Sequence, residues 1–433
     1  MGRYEHCFLK VHSPIDHVWY YYKQFKPLYG SCSAPVRWQT TFAAWMTTTV
    51  EDGGPGFLRA ENAGAVYRQP PRSDRGALLL VIYVDDIMLI GKKADQLSFY
   101  VQLNKRFQCQ PVQWLEKNKP LDHLGITIHE DDEYVWMSME NYIKNMLVIL
   151  NMPNCLPMHV PFTGPIVDLK ELCEDRKKWY ITAQGMCAWL SATVRVDTRY
   201  ATSRLAQYNA KPCQGAFNAM VQLVRYLATT AKLAIRQELN VHTEWRLFSD
   251  SDMAGNGEGI NKRRSQLGYV ALLGKAPITW SSKVSSVMFG EARLPAGFLS
   301  GITAVTAHPD IAGEHVATSS AEAETYALGI FANEVLHLSY VAEEAGIPFP
   351  RPAVIQVDNL AAIAFSKQSQ FAGRSKLRHV DCRAEWLKVL RDSNLVECVH
   401  VSSANNLADL FTKPLDTITF TRLRDEMMSW CPW

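Results

Sequence analysis

The second half of the sequence predicts an α/β fold with a mixed sheet, and three observations support this prediction. From about residue 244, strand candidates come first, beginning with WRLFSD. Two apolar runs, GYVALLG and APITWSS, are joined by a turn at Gly274-Lys275 and predict a hairpin. Helices and strands then alternate towards the C-terminus, which is typical of a sheet covered by helices.

The remaining elements follow in order along the chain. We expect a long helix from near Ser319, a strand, two helices, a strand and a last short helix, at AVIQVD, NLAAIAFSK, RAEWLKVLRD, LVECVHV and NNLADLFTK. Upstream, residues 136 to about 240 predict helices, because apolar residues in NYIKNMLVIL and AFNAMVQLVRYLATT recur at steps of three and four.

Composition limits the possible classes of protein. A chain of 433 residues exceeds the size of one hydrophobic core, so we expect two or three domains. The net charge of +2 gives little reason to propose a nucleic-acid partner, and the basic run Lys262-Arg263-Arg264 is typical of a solvated turn. Evidence for such a partner must therefore come from motifs.

Neither the cysteines nor the apolar segments indicate secretion. The ten cysteines form no C-x-x-C pair, which disfavours zinc and suits a reducing compartment. The N-terminal residues lack an apolar signal region. The most apolar stretch, Leu78 to Ile90, carries Asp85 and Asp86 at its centre, where a membrane would exclude them. We expect an intracellular protein, cytoplasmic or nuclear, with no membrane partner.

Four acids stand at the ends of predicted elements: Asp250, Glu324, Asp358 and Asp409. Active groups in α/β sheets collect at strand ends. Carboxylates that cluster there would repel one another unless cations lay among them, which predicts Mg²⁺ or Mn²⁺. Two such ions can promote the hydrolysis of a phosphodiester.

Glu322 and Glu324 compete for the helix position. Ser319 and Glu322 fit a capping box, which gives Glu322 a structural role. Glu324 lies in line with Leu328 and Phe331, on the stripe that should face the sheet. A buried acid is unfavourable without a ligand, so Glu324 is the stronger metal candidate.

Structural alternatives stay open for the other acids. Asp358 or Asn359 could cap the helix that follows. Asp409 could be a solvated helix residue, and Asp252 is expected to cap or hydrate the next turn. Each acid taken singly favours the structural interpretation.

The motifs around these acids resemble the RNase H domain of Ty1/copia retrotransposons. FSDSDMAG is similar to that family's first-aspartate motif, and KRRSQLGYVALLGKAPITWSSK to its hairpin. SSAEAETYAL, VDNLAAIAFSK, RSKLRHVDCRAEWL and NNLADLFTKPL resemble the later motifs in order. The resemblance implies a five-stranded RNase H-like sheet whose catalytic, metal-binding acids are Asp250, Glu324, Asp358 and Asp409. It also implies two Mg²⁺ or Mn²⁺ ions bridged by Asp250, with Glu324 and Asp358 on one ion and Asp409 on the other.

The resemblance continues upstream. YVDDIMLIG, from Tyr83 to Gly91, is similar to the palm motif of reverse transcriptases, in which a hairpin presents Asp85 and Asp86 to metal. The structural alternative is a buried hairpin with a solvated acidic turn. PLYGSCSAPVRW, DHLGITI and WYITAQGMCAWLSATVRVDTRYATSRLAQY also resemble segments of the family.

Some features depart from the family. Its polymerase needs a third aspartate upstream of the LYG-like motif, which this sequence does not contain, and Asp16 belongs to a different part of the pattern. We therefore expect a polymerase remnant without RNA-directed DNA polymerase activity. An extra stretch, residues 287–314, predicts a surface loop. Met253 stands where the family often has Trp, and His400 falls on a predicted strand rather than in a catalytic loop.

The domain prediction follows from these matches. Residues 1–135 are a partial reverse-transcriptase palm, 136–243 a helical thumb or connection, 244–416 an RNase H-like domain with the inserted loop, and 417–433 a C-terminal helix or tail. The predicted activity is hydrolysis of the RNA strand of RNA–DNA hybrids, and other Pol products of such elements are expected as further partners.

Two alternatives remain. The chain could be a decayed retroelement fragment with weak or no nucleic-acid binding and no catalysis. It could also be a full polymerase whose start is missing only from the gene model.

Overall fold

The computed structural model describes residues 8–12, 15, 18–23, 34–117, 119–239, 244–252, 265–285, 320–367 and 378–433. The chain divides into two compact units, Met1–Val112 with Glu344–Gly346, and Gln113–Glu343 with Ile347–Trp433. The predicted loop 287–314, the basic run 262–264, Asp16 and Met253 lie outside the described residues. None of the described helices has the length and apolar character needed to cross a membrane. The predicted domain boundaries at 135, 243 and 416 stay predictions.

The first unit contains two antiparallel sheets and two helices. Its elements are β1 (Phe8–His12), β2 (Trp19–Lys23), α1 (Ala34–Met46), β3 (Leu58–Arg59), β4 (Val66–Gln69), β5 (Leu78–Tyr83), β6 (Asp86–Gly91) and α2 (Lys93–Phe107). Strands β1 and β2 form one sheet, and strands β3 to β6 pair in chain order in the other. Aromatic residues of the helices and of this four-stranded sheet, such as Phe42, Tyr67 and Phe99, form the core.

The predicted YVDD hairpin is confirmed. Strands β5 and β6 pair antiparallel, with Tyr83 opposite Asp86. Val84 adopts a left-handed backbone conformation, with φ of 57°, in the two-residue turn. Asp85 and Asp86 are exposed at the tip of this hairpin.

The second unit begins with strands of an antiparallel sheet and with a group of helices. These elements are β7 (Leu121–His123), β8 (Ile126–Glu130), β9 (Tyr134–Ser138), α3 (Glu140–Ile149), α4 (Glu174–Thr193), α5 (Arg199–Ala206), α6 (Gln214–Thr229) and β10 (Leu233–Glu238). The helices predicted between residues 136 and 240 are present. Strand β10 was not predicted, because it forms by pairing with β9 and with the C-terminal strand β16 (Ser429–Trp430), which are distant in sequence.

The other sheet of the second unit is mixed and five-stranded, as predicted. The elements of this region are β11 (Trp245–Asp252), β12 (Gln266–Leu273), β13 (Ala276–Val284), α7 (Ser320–Ala345), β14 (Ala353–Val357), α8 (Leu360–Lys367), α9 (Arg378–Asp392), β15 (Val396–His400) and α10 (Thr417–Asp425). The strand order is β13-β12-β11-β14-β15. The first three strands are antiparallel, whereas β14 is parallel to both β11 and β15.

Each face of this sheet buries a separate core. On one face, Leu247 and Ile355 pack against helix residues that include Leu328, Phe331 and Val335, which belong to the predicted apolar stripe of α7. On the other face, Phe248 and Val270 share a core with the C-terminal segment and with the preceding helical region. That second core contains Val160, Val196, Tyr226, Leu233, Phe411, Leu423 and Met428.

A buried ion pair lies beside this second core. Arg195 donates to both carboxylate oxygens of Asp197, at 3.0 and 2.7 Å, and both side chains are fully buried. The Tyr226 hydroxyl also donates to Asp197, and Thr230 accepts from Arg195. Buried charges are tolerated when they are paired and hydrogen-bonded in this way.

The last predicted helix, NNLADLFTK, is corrected by the structure. The chain forms two short 3-10 segments, Ser403–Asn405 and Leu407–Phe411, instead of an α-helix. The second segment packs onto strands β11 and β12 and is completely buried. Five buried residues in succession cannot form an amphipathic surface helix, which accounts for the difference.

Candidate metal centre

Asp250 lies near the end of the central strand β11 and is only 1% exposed. The hydroxyl of Thr412 donates a hydrogen bond to its Oδ2 atom. Strand β14 runs parallel to β11, with Leu247 opposite Ile355. The pairing therefore places the C-terminal ends of both strands, and the acids found there, at the same edge of the sheet.

Asp358 directly follows β14, and the structure resolves which residue caps the next helix. The Oδ1 atom of Asn359 accepts hydrogen bonds from the backbone N–H groups of Ala361 and Ala362, at 2.9 and 3.1 Å. Asn359 is therefore the N-cap of α8. The carboxylate of Asp358 has no capping role and lines the same pocket as Asp250 and Glu324.

Glu324 lies in the first turns of α7 and is 3% exposed. Its Oε1 atom accepts a hydrogen bond from the backbone N–H of Ser251, at 3.3 Å. Its Oε2 atom is buried and has no hydrogen-bond partner among the described residues. The side chain of Glu322 is not among those described, so its predicted capping role stays a prediction.

Asp250, Glu324 and Asp358 converge. Each offers one carboxylate oxygen, and these three oxygens all lie within 4.8 Å of one another. The elements that bring them together are a central strand, the first turns of a helix, and the end of a neighbouring strand.

Asp409 belongs to the 3-10 segment Leu407–Phe411 and is 8% exposed, so it is not the solvated helix residue of the structural alternative. Asn406 fixes this segment to the sheet. Its Oδ1 atom accepts from the backbone N–H of Ala408, at 3.1 Å, and its Nδ2 atom donates to the carbonyl oxygen of Ser249, at 3.2 Å. Asp409 is thereby held beside β11, although it is not part of the group of three close oxygens.

Lys413 connects Asp409 to Asp250. Its Nζ atom lies 3.0 Å from Oδ1 of Asp409 and 3.5 Å from Oδ2 of Asp250. Lys413 was not among the residues predicted from the sequence. The available signal was the spacing of four residues between Asp409 and Lys413, which favours an ion pair when the chain turns helically.

Gly268 makes the approach of this segment possible. It lies opposite Asp250 on β12. A Cβ atom at this position would lie 2.7 Å from Phe411 Cβ and 2.7 Å from Thr412 Cγ2. Only a glycine allows the backbone of residues 411–412 to lie this close to the strand.

Burial and like charge shift the proton affinities of the acids. Burial, followed by the charges of Asp250 and Asp358, raises the pKa of Glu324 to about 9. Burial and the charge of Asp250 raise the pKa of Asp409 to about 7. Burial also raises the pKa of Asp250, although Lys413 and Thr412 oppose this effect. For Lys413, the charges of Asp250 and Asp409 outweigh its burial, so its pKa is raised and it stays positively charged.

These residues fit a hard divalent cation. The donor set consists of carboxylate oxygens, the ligands that Mg²⁺ and Mn²⁺ prefer. The unpartnered, buried Oε2 atom of Glu324 is what a missing cation ligand would leave behind, since buried polar atoms are almost always partnered. Asp250, Glu324 and Asp358 could hold one cation, and Asp250 with Asp409 a second.

Other residues considered in the sequence are not members of the group of three close carboxylate oxygens. Asp85 and Asp86 belong to the first unit. Asp252 ends β11 half-buried, and burial raises its pKa. The turn that Asp252 is expected to cap lies outside the described residues. His400 ends β15 and is exposed.

Comparison with known proteins adds an independent finding. Residues 12–164 match the family model "Reverse transcriptase (RNA-dependent DNA polymerase)". The chain is 25% identical over 397 residues to the Pol polyprotein from transposon TNT 1-94 of Nicotiana tabacum, covering 90% of this chain and 26% of that protein. It is 26% identical over 401 residues to the Pol polyprotein from transposon RE2 of Arabidopsis thaliana, covering 91% of this chain and 24% of that protein. The chain thus spans about a quarter of the length of these relatives.

Two further similarities are more limited. A putative transposon Ty5-1 protein of Saccharomyces cerevisiae is 24% identical over 280 residues, covering 62% of this chain and 82% of that protein. Among solved structures, LC11-RNase H1 from a compost metagenome aligns with 40% of this chain and 94% of its own, at 15% identity and a TM-score of 0.25.

The fold and the acid cluster define an α/β protein with a candidate divalent-metal centre at the edge of a mixed sheet. The chain is similar in sequence to the retrovirus-related Pol polyproteins of the transposons TNT 1-94, RE2 and RE1, in agreement with the resemblance of its motifs to Ty1/copia retrotransposons.

Proposed function

We propose that the second unit is an RNase H-type endoribonuclease that hydrolyses the RNA strand of RNA–DNA hybrids with Mg²⁺ or Mn²⁺. The observation that carries this proposal is the convergence of Asp250, Glu324 and Asp358, together with the buried, unpartnered oxygen of Glu324. The strand order, with two antiparallel and two parallel pairs of neighbouring strands, supports an RNase H-like fold.

Some residues would hold the cations, and others would orient the carboxylates that hold them. Asp250, Glu324 and Asp358 would hold one cation, and Asp250 and Asp409 would hold the second. Two bound divalent cations promote the attack of water on a phosphodiester and stabilise the leaving oxygen. Asn406 and Thr412 orient Asp409 and Asp250, because one fastens the 3-10 segment to β11 and the other bonds the Asp250 carboxylate directly.

The substrate class follows from the motif resemblance and from homology to Pol polyproteins. Recognition of a hybrid would rest on backbone and 2′-OH contacts in its shallow minor groove rather than on base reading. We place the protein inside the cell, with other Pol products as its partners.

A second candidate function concerns the first unit. Residues 12–164 match the reverse-transcriptase model, and the exposed YVDD turn supports a palm-like arrangement followed by a thumb or connection. From the departure of the sequence motifs from the family, we propose that this part of the chain is a polymerase remnant that does not extend primers. Robust primer extension on an RNA template would show that this part of the proposal is wrong.

Cleavage of a labelled RNA–DNA hybrid tests the nuclease directly. Wild-type protein with Mg²⁺ should cleave the RNA strand, and Asp250→Asn and Glu324→Gln should each reduce the rate by about a hundredfold or more. Asp132→Asn is the matched control, because its side chain is 81% exposed and remote in sequence from the centre. Absence of Mg²⁺-dependent cleavage by the wild type, or equal cleavage by all variants, would contradict the proposal.

A further inference from the structure

Lys413 occupies a specific position among the acids. Its ammonium group lies between Asp409, at 3.0 Å, and Asp250, at 3.5 Å. Both acids are buried, whereas the lysine side chain retains a third of its surface exposure and lines the open pocket. The ammonium therefore contacts both acids that would share the second divalent cation.

A lysine at this place neutralises charge without being a metal ligand. An ammonium carries one positive charge and three donors, and it binds carboxylate oxygens at about 2.7–2.9 Å, whereas Mg²⁺ binds them at about 2.0–2.1 Å. A divalent ion held by Asp250 and Asp409 would compete with the ammonium for these two carboxylates. The ammonium and that ion repel each other strongly at such separations, so the two cannot occupy the position together.

The structure also leaves the Lys413 side chain space to move away from the two acids. Its four-carbon stem is flexible, and its partial exposure leaves the pocket side open to solvent. Lys413 engages the site formed by Asp250, Glu324 and Asp358 through Asp250 alone, at the longer distance of 3.5 Å, and within the described residues no ion pair engages Glu324 or Asp358.

We propose that Lys413 is a built-in competitor of the second divalent cation, so that the two cations bind in sequence and with unequal affinity. This inference rests on the proposed metal centre. The first ion binds at Asp250, Glu324 and Asp358. The second ion binds between Asp250 and Asp409 only when Lys413 withdraws, and Lys413 thereby sets the cation concentration at which the centre is filled.

Mn²⁺ binding, measured by calorimetry and by electron paramagnetic resonance of free Mn²⁺, tests this inference without relying on activity. Wild type should bind one Mn²⁺ tightly and a second weakly. Lys413→Met removes the charge and keeps the length of the side chain, and it should tighten the second event by about tenfold or more. Lys413→Arg keeps the charge and should leave the second event weak.

Lys177→Met is the matched control. Lys177 also contacts two carboxylates, Glu171 at 2.8 Å and Glu174 at 3.0 Å, and its side chain is similarly exposed. It lies on α4, away from the acid cluster in sequence, so its loss should leave both Mn²⁺ affinities unchanged. The double variant Lys413→Met with Asp409→Asn should lose the tightened second event.

The outcomes separate the two proposals. If wild type binds no Mn²⁺, or if Asp250→Asn binds it equally well, the metal centre itself is wrong. If Mn²⁺ binds at the centre but Lys413→Met leaves the second event unchanged or weakens it, only the role of Lys413 is wrong. Lys413→Gln provides a second neutral variant should Lys413→Met fail to fold, as judged by circular dichroism.

Discussion

Asn406 donates a hydrogen bond from its Nδ2 atom to the carbonyl oxygen of Ser249, the residue that precedes Asp250 on the central strand. This bond spans 157 residues of sequence and holds the segment of Asp409 against β11. The two acids that would share one cation are therefore held near each other by a side-chain-to-backbone hydrogen bond of the protein itself.

Asn406→Ala should weaken both the fold and the metal centre. The change leaves the buried carbonyl of Ser249 and the backbone N–H of Ala408 without their partner, which should lower the free energy of unfolding by about 1–3 kcal/mol. Denaturant unfolding measures this loss. Asn405→Ala is the control, because Asn405 is exposed. Equal stabilities of the two variants would contradict the role of Asn406.

Gly268→Ala should displace the segment that carries Thr412 and Lys413. A methyl group at residue 268 would overlap Phe411 and Thr412, so we expect a loss of about 1–3 kcal/mol and slower hybrid cleavage. Gly185→Ala on α4 is the matched change, since no atom lies within 4 Å of its added Cβ. That variant should be neutral or slightly more stable because alanine favours a helix. A Gly268→Ala protein as stable and active as the wild type would refute the close-approach argument.

The stability of the metal-free protein should depend on pH in an unusual direction. The folded pKa of Glu324, about 9, lies above its ordinary value of 4.5, and that of Asp409, about 7, lies above 3.8. A raised folded pKa gives stability that is complete below the unfolded value and is lost as pH rises through the folded value. The contribution of these two groups should therefore fall between about pH 4 and pH 9.

Thermal unfolding with a chelator measures this effect. Glu324→Gln should gain stability relative to wild type as pH rises from 6 to 9, because glutamine has no proton to lose. Mg²⁺ should reverse the trend in the wild type, since it binds the deprotonated acids and stabilises the folded state increasingly at higher pH. A stability difference between the two proteins that does not change with pH would contradict the assignment.

The hairpin acids of the first unit should behave independently of the nuclease. Asp85 and Asp86 are exposed, so Asp86→Asn should change the unfolding free energy by no more than about 0.5 kcal/mol. Hybrid cleavage should also stay at the wild-type rate. A large loss of hybrid cleavage in this variant would instead indicate that the acidic turn takes part in substrate binding.

The sequence predicted the elements with strong local signals. The hairpin at Gly274-Lys275, the apolar stripe of α7 and a mixed sheet followed from periodicity and turn residues, whereas the YVDD hairpin and the number of five strands followed from the resemblance of the motifs. The prediction that Glu324, rather than Glu322, faces the sheet agrees with the burial of Glu324, because an acid in line with a buried apolar stripe is itself buried.

Long-range contacts were beyond such reasoning. Strand β10 exists because Leu233 and Ala234 pair with residues near the C-terminus, which no local pattern can reveal. The hydrogen bond of Asn406 holds the 3-10 segment that carries Asp409, and the lack of a side chain at Gly268 allows this segment to lie close to the strand. Both effects depend on tertiary packing. Lys413 was overlooked for the same reason, since its partner Asp250 lies on another element. The assignment of the four acids as catalytic stays a prediction.

The core behind the five-stranded sheet has a practical consequence. Some residues of this core precede the sheet in the sequence, beginning with Val160, and others follow it, ending with Met428. Phe248 and Val270 belong to the sheet itself. A polypeptide that begins at residue 244 would lack Val160, Val196, Tyr226 and Leu233, so it would expose part of this core to water and should aggregate. The smallest piece that can be expressed, exchanged between relatives or inherited intact is therefore the whole unit from about residue 113 onwards.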